Sequence, residues 1–486
     1  MKRRLIASLL AVCLVAGLLP TVALAAEGKP GEENAPGCAE LEGCVGEAHG
    51  EDCSLYVPPA ADAPNQSATE QVQGLIDALP EAGVPGVPTE TGDGLTGNGT
   101  KSDPYIVKTA GLAALSQLLQ NGTEDTVYLE AGEDITLSQG QYIEIPANCT
   151  IDLDFNGHTL TKSEVADQAP IENKGTLTLR GNGGINGANR CVNNYCSLTV
   201  EGGTYTTTEH SGGTAIRSTS ADTVTVFNGG EVKAANYAVY NYGKMTVNGG
   251  KFSSDACNHR GTWAYAFSSE GELIFNNGEV TGVQGALSVH GGHGTINNGT
   301  FKTVKCEDPS CTGSNGSTTF YALYCAGEVG EVECDVYGGN FLTEGNYSAA
   351  LLGNDNTGGD GGINAKAAVN VYGGTFTAPE GIPGLKVSPE TAATSIIHGG
   401  SYSKLEETVA QYVDPACKTT VDGGKTVIAA RVETDADAVA KAGDKVYASL
   451  QAAINEGGEV TLLKSIKESV TVPADKTVIL NLNNCT

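Results

Sequence analysis

Nine glycine turns, many of them written Gly-Gly, recur through this chain and constrain its fold more than any other feature. They end at Gly184, Gly203, Gly230, Gly250, Gly278, Gly299, Gly339, Gly374 and Gly400, with successive gaps of 19, 27, 20, 28, 21, 40, 35 and 26 residues. A floor of about 20 residues recurs, and the excess reads as insertion into one or two loops per repeat. Self-similarity at such a period marks a solenoid, whose repeats bury their apolar faces on one another.

Aligning the last eight copies on the glycine exposes two apolar columns. Three residues before it stand Val200, Phe227, Val247, Phe275, Ile296, Val336, Val371 and Ile397; two residues after it stand Tyr205, Val232, Phe252, Val280, Phe301, Phe341, Phe376 and Tyr402. All are β-branched or aromatic, as strand positions prefer. The first copy, at Gly184, does not fit. Further strand-like runs lie between the turns, such as Tyr237–Asn241 and Ala286–Val289, where Ala238/Tyr240 and Leu287/Val289 alternate with their neighbours. A repeat of this length with two or three short strands predicts an all-β solenoid: a right-handed, single-stranded parallel β-helix. Ten to twelve coils at the strand spacing of ~4.8 Å make a rod of roughly 50–60 Å.

Composition agrees. There are 65 Gly in 486 residues, with no G-X-Y period, and 40 % of the chain is hydrophobic, so neither collagen nor a disordered chain is described. The formal charge of −29 argues against nucleic acid and anionic membrane surfaces as partners.

Residues 1–26 read as a signal peptide: Lys2, Arg3 and Arg4, the apolar run Leu5–Leu19, then Ala23-Leu24-Ala25 as a cleavage pattern. No other segment is apolar and long enough to span a bilayer, so the mature chain is expected to be extracytoplasmic, secreted or at the cell surface. Of 14 Cys, Cys306/Cys311, Cys191/Cys196 and Cys325/Cys334 are neighbouring pairs in a compartment that permits disulfides, without fixing their connectivity. Cys38, Cys44, His49 and Cys53 form a candidate zinc set; a disulfide beside a solvated histidine fits the spacing better.

Residues 27–95 are expected as an acidic Cys- and Pro-containing linker carrying a short helix after the capping pattern Ser67–Glu70. The β-helix is expected over 96–404. An open solenoid exposes strand edges and needs a cap; Leu112, Leu115, Leu118 and Leu119 predict an amphipathic capping helix just before the first strand, Thr126–Leu129. A connector over 405–440 leads to 441–486, where a helix at Tyr447–Ile454, a strand at Val460–Leu463 and a Pro-Ala turn repeat the opening of the first module. That predicts the start of a second β-helix module, cut short at Thr486.

Ser102–Val107 with its following helix, Leu153–Leu160, the Gly-Gly-Thr-Phe/Tyr units (Gly202–Tyr205, Gly373–Phe376) and Tyr447–Ile454 together resemble secreted, repeat-rich parallel β-helix surface proteins of gut bacteria, in the pectate-lyase-like superfamily. The resemblance covers about residues 96–404 and 441–486. It implies a cell-surface or extracellular, adhesin-like protein, with host or plant glycans or surface proteins as partners. Enzymes of that superfamily are polysaccharide lyases with carboxylate-held calcium and an Arg or Lys base, or glycoside hydrolases with clustered Asp. A non-catalytic carbohydrate-binding module is the third alternative.

Either chemistry needs charged groups converging on one exposed face. Residues 171–402 hold 20 Asp/Glu, and no carboxylate is expected in register on neighbouring rungs. Arg190 and Arg217 fall close together on early coils without a paired Asp motif, so no catalytic residue is assigned. Asp355 and Asp360 in a glycine-rich loop could hold Ca²⁺ as a cofactor, although a polar turn insertion is the simpler reading. His290 and His293 bracket Gly291-Gly292 and read as surface turn residues, with no acidic third ligand expected nearby. Trp263 with Tyr265 is the candidate glycan platform, with packing the simpler reading. Asn228, Asn248, Asn277 and Asn298 are expected to accept positive φ in their turns, or to form an internal ladder. The reading that follows is a non-catalytic stalk or adhesin-like display scaffold, with partner contacts through insertions near 253–263, 304–318 and 354–364, all entering at similar phases of the coil.

Overall fold

A computed structural model of the chain describes residues 95–486, apart from 124, 211, 258–263, 307–320, 328, 346, 354–365, 389–391 and 393. The described residues form an all-β solenoid. A rung is three strands in chain order, one from each of three parallel sheets, and the next rung starts beside the first strand of the last. Thr176–Arg180, Gly184–Gly187 and Val192–Asn194 make one rung, and Ser197–Val200, Thr204–Thr207 and Thr214–Ser218 the next. The first and second sheets hold 13 strands each and the third holds 10, so the stack has ten complete rungs, within the expected range.

Both apolar columns are in register from end to end. Val200 pairs with Phe227, Phe227 with Val247, Val247 with Phe275, and so on through Ile296, Val336 and Val371 to Ile397. In the second sheet Tyr205, Val232, Phe252, Val280, Phe301, Phe341, Phe376 and Tyr402 follow one another in the same way. Every one of them is buried in a single core. The reason is geometric: a parallel strand places each side chain over its equivalent one rung away, so an inward position is inward in every copy. In the third sheet Leu287 and Val289 continue the inward column below Leu323 and Cys325, while Tyr240 lies outward.

The first copy also belongs to the series. Gly184 pairs with Thr204 and Ile185 with Tyr205, so the turn glycine is Gly183, preceded by one extra residue between Leu179 and Gly183. The turn asparagines correct the sequence expectation. Positive φ falls on the glycine itself, as at Gly230 (φ 90°), and none of Asn228, Asn248, Asn277 or Asn298 has it. A Cβ on Gly230 would lie 3.2 Å from the carbonyl oxygens of Gly202 and Gly203 on the rung below, which is why glycine recurs there.

Two of the three insertions share a corner. Residues 255–266 and 304–322 both link a second-sheet strand to a third-sheet strand, whereas 353–366 link the third-sheet strand Ala350–Leu352 to the first-sheet strand Ala367–Val371. The expectation of one common phase is therefore corrected. Glycine spacing measures how much chain is inserted in a repeat, not which of the two remaining corners takes it.

Helix α1 (Leu112–Gln120) stands before strand Val127–Ala131 and puts Leu115 and Leu119 into the core, as the leucine spacing predicts. At the other end the hairpin Cys417–Asp422/Lys425–Ala430 pairs antiparallel with Gly400–Tyr402 and extends the second sheet. Beyond it lies a small core of its own, around helix α2 (Leu450–Glu456), whose N-cap Ser449 accepts a hydrogen bond from the Ala452 amide at 3.1 Å. There strand Gly458–Leu462 pairs in parallel with Val478–Asn481, the same helix-then-parallel-strands order as at the first module's opening.

Candidate functional site

Outward positions of the third sheet form one column: Glu144, Glu172, Asn193, Arg217, Tyr240, Ser268, Ser288, Tyr324, Leu351 and Lys386, each in register with the next. An outward face would ordinarily be wet. Here Ser268, Ser288 and Leu351 are fully buried, because Tyr324 and Leu351 pack in an outer apolar cluster with Tyr321, Ala326, Tyr265 and Tyr347. The polar end of the column, from Glu172 to Tyr240, carries the charged chemistry.

Glu172 is 5 % exposed, and its Oε1 accepts from the Ala169 amide at 2.5 Å and from Asn193 Nδ2 at 2.8 Å. Burial holds its carboxyl above the usual range despite those donors. Glu144 stands in register with it on the neighbouring rung and is paired with Lys174 at 3.1 Å. One carboxylate pair is therefore in register, with Glu144 lying outside the residues 171–402 for which none was expected. The pairing was hidden because a 28-residue step separates them, with no turn glycine to align on.

Arg190, just before strand Val192–Asn194, and Arg217, within strand Thr214–Ser218, stand on neighbouring rungs. Both guanidinium charges act on Tyr195, whose phenol is pushed up to about 12, by burial first and by Glu172 second. Arg190 is paired with the exposed Asp167 at 3.3 Å, and its buried Nε has no partner among the described residues. Arg217 lies over the Tyr242 ring, 5.2 Å from its centroid. Tyr240 stacks on Tyr242 at 4.8 Å and donates its hydroxyl to Glu270. Sequence reading missed Glu172, Asn193 and Tyr195, which only the rung register brings to the two arginines.

The other candidates disperse. Cys38, Cys44, His49, Cys53, Asp355, Asp360 and Trp263 lie outside the described residues, as do the predicted signal peptide and the helix after Ser67–Glu70. Tyr265 is stacked on Tyr324 at 5.6 Å and meets His290 edge-on, so it packs rather than presenting an open face. His290 Nε2 lies 2.7 Å from Ser288 Oγ, but that hydroxyl is sealed from solvent. His293 sits 3.6 Å from Glu333 and 3.8 Å from Asp335, so acidic neighbours are present where none was expected. The rung pairing of Gly292–Ile296 with Val332–Val336 supplies them across the inserted loop. No group of three or more metal-ligating side chains occurs among the described residues. Cys191 is buried and free, while Cys196 is disulfide-bonded elsewhere, so these neighbours do not pair. The pairing of Cys306 with Cys311 falls outside the described residues.

A second surface runs along the glycine corner. An open groove of about 920 Å³ follows Gly183, Gly203, Gly230, Gly250 and Gly278, with Glu201, Glu231, Lys251 and Glu279 beside it. Next to it is an exposed amide ladder: Asn228 donates to Glu201, Asn248 to Asn228, Asn276 to Asn248 and Asn297 to Asn276, each at 2.8 Å. The ladder is external and uses Asn276 and Asn297, because in the Asn-Asn-Gly turns the second asparagine stands where other copies have glycine. On later rungs the same position is taken by Tyr337, Tyr372 and His398, stacked 4.8 and 4.6 Å apart. Their faces cover one another, so mostly edges are left to solvent.

Comparison with known proteins returns no matching family model, no matching curated protein and no matching solved structure.

Proposed function

We propose that this protein is an exported, non-catalytic display scaffold at the cell surface or outside the cell, adhesin-like, of the repeat-rich parallel β-helix class within the pectate-lyase-like superfamily. The observation that carries the reading is the continuity of the core. Eight successive rungs keep Tyr205 through Tyr402 in unbroken register, while insertions between 254 and 267, 303 and 323, and 352 and 367 leave that register intact. A stack that absorbs such insertions without slipping suits presenting variable loops on a rigid support. Partner contact then belongs to the insertions, with glycans or surface proteins of a host or plant as the partners. Export rests on the basic, then apolar, then small-residue pattern of residues 1–26.

The test pairs a glycan array with a polysaccharide degradation assay on the full chain. Binding without release of unsaturated or reducing sugar ends supports the scaffold. Release of either product would overturn it in favour of a lyase or hydrolase.

A further inference from the structure

Cys325 and Cys334 stand at one inner corner of the β-helix, where the third sheet hands over to the first. Cys325 ends strand Leu323–Cys325, in register with Val289 one rung below, and Cys334 lies within strand Val332–Val336, in register with Gly294. Both belong to the central core, at 0 % and 1 % exposure.

The rung below measures the corner. A β carbon built on Gly294 would lie 3.3 Å from a Val289 γ carbon across the corner and 3.2 Å from the Cys334 sulfur above. A disulfide places each sulfur about 3 Å from its partner's β carbon, so these positions have the span that an S–S bond needs. Gly294 has no positive φ, so turn geometry does not demand glycine there; its bare face leaves room for the Cys334 side chain. The two thiols also meet directly. A hydrogen bond with Cys334 is the largest influence on the Cys325 thiol and, ahead of burial, pushes it well up.

The place in the fold gives a crosslink something to hold. Four residues separate Val289 from Gly294, whereas eight separate Cys325 from Cys334, so this corner carries a longer loop than the one beneath it. The 304–322 insertion leads into Leu323–Cys325, and the 353–366 insertion leads into Ala367–Val371, which pairs with Val332–Val336. Closing long loops costs chain entropy, and a crosslink removes freedom from the unfolded chain. Packing alone does not require sulfur here. Ser269 with Leu273 and Leu352 with Val369 fill the equivalent corner positions on nearby rungs without it.

We propose that Cys325 and Cys334 form a disulfide that closes this corner and holds the rung between the two insertions. The bond needs an oxidising compartment, so in the cell it rests on the export reading. The oxidant is itself a disulfide, that of glutathione or of a thiol oxidoreductase. Its S–S bond breaks and the bond between the two Sγ atoms forms; two electrons pass to the oxidant, and both thiol protons end on its two released thiols. Neither sulfur is reachable in the packed rung, so the exchange precedes closure of the core during folding.

The experiment folds the full chain in a glutathione redox buffer, so that its outcome is independent of where the protein resides. Free thiols are alkylated in denaturant, and the unreduced digest is mapped by mass spectrometry. Cys325 and Cys334 should appear joined to each other in most molecules. Recovery of both as alkylated thiols, or of either joined to a different cysteine, would overturn the proposal. Melting with and without reductant then tests the role. Reduction should lower the melting temperature of the wild type by at least about 3 °C more than that of the Cys325→Ala/Cys334→Ala double variant, in which any other disulfide is still reduced. An equal shift in the two proteins would show that the bond does not hold the corner. Should the double variant fold poorly, the peptide map of the wild type alone decides the pairing. A protein that forms the bond in glutathione but lacks it when recovered from cells would count against the export reading and leave the pairing intact.

Discussion

Phe341 lies flat on Phe301, with ring centroids 4.9 Å apart and planes 8° from parallel, although the 304–322 insertion intervenes in the chain. Phe376 and Tyr402 continue the stack at 4.7 and 5.0 Å. The spacing is that of neighbouring strands, so the backbone ladder and the aromatic contacts reinforce one another.

That makes Phe341 a sensitive position. Phe341→Ala should destabilise the β-helix by about 3–5 kcal/mol, as large core truncations do. Tyr372→Ala, which removes an exposed ring from the outer ladder, should cost below ~1 kcal/mol. Denaturant unfolding of both variants compares them; equal losses would contradict the assignment of inner and outer stacks.

Gly230 combines a φ of 90° with rung carbonyls 3.2 Å from any added Cβ. Gly230→Ala should therefore cost about 1–3 kcal/mol through strain. Gly330, with open space around its Cβ position and no positive φ, should accept alanine with a change below ~1 kcal/mol. Thermal melts of the two variants measure the contrast.

Glu172 has a definite pH signature. Its folded pKa is raised above the ordinary 4.5, so the folded state holds the proton more tightly than the unfolded one. Its contribution is therefore most favourable below about 4.5 and is lost as pH rises through the folded value. Glu172→Gln keeps an acceptor for the Ala169 amide and Asn193 and lacks this titration. The melting temperature of wild type minus variant should fall between pH 4 and pH 8; a constant difference would show that burial does not perturb this carboxyl.

Cysteine chemistry separates the buried thiols from the rest. Burial pushes the Cys191 thiol up to about 12 and that of Cys417 to about 11, so neither supplies thiolate near neutral pH. Alkylation of the native protein followed by peptide mass mapping should leave Cys191 unlabelled while Cys485, partly exposed, reacts. Labelling of Cys191 at the rate of Cys485 would show that the rung opens.

The columns were legible because a β-helix repeats one environment, so residues with the same inward role recur at the same offset from Gly203, Gly250 or Gly374. Leu115 and Leu119 were legible for the complementary reason, a period of 3.6 beside an open sheet edge. The C-terminal hairpin cap was not: Cys417–Ala430 has no offset to any glycine turn, and its pairing with Gly400–Tyr402 is a tertiary contact. The pairing of Glu144 with Glu172 and the meeting of Asn193, Tyr195 and Arg217 were equally silent, since uneven insertions separate residues that lie one rung apart.

Local pattern alone thus determined the sheet-rich solenoid, its inward columns and its first capping helix, because periodicity is a property of neighbours along the chain. The placement of the loops, the sealing of the third sheet's outer face and the cluster around Arg217 were decided only by tertiary structure. Lateral contact between rungs depends on how many residues each corner absorbs, and no offset along the chain encodes which corner that is.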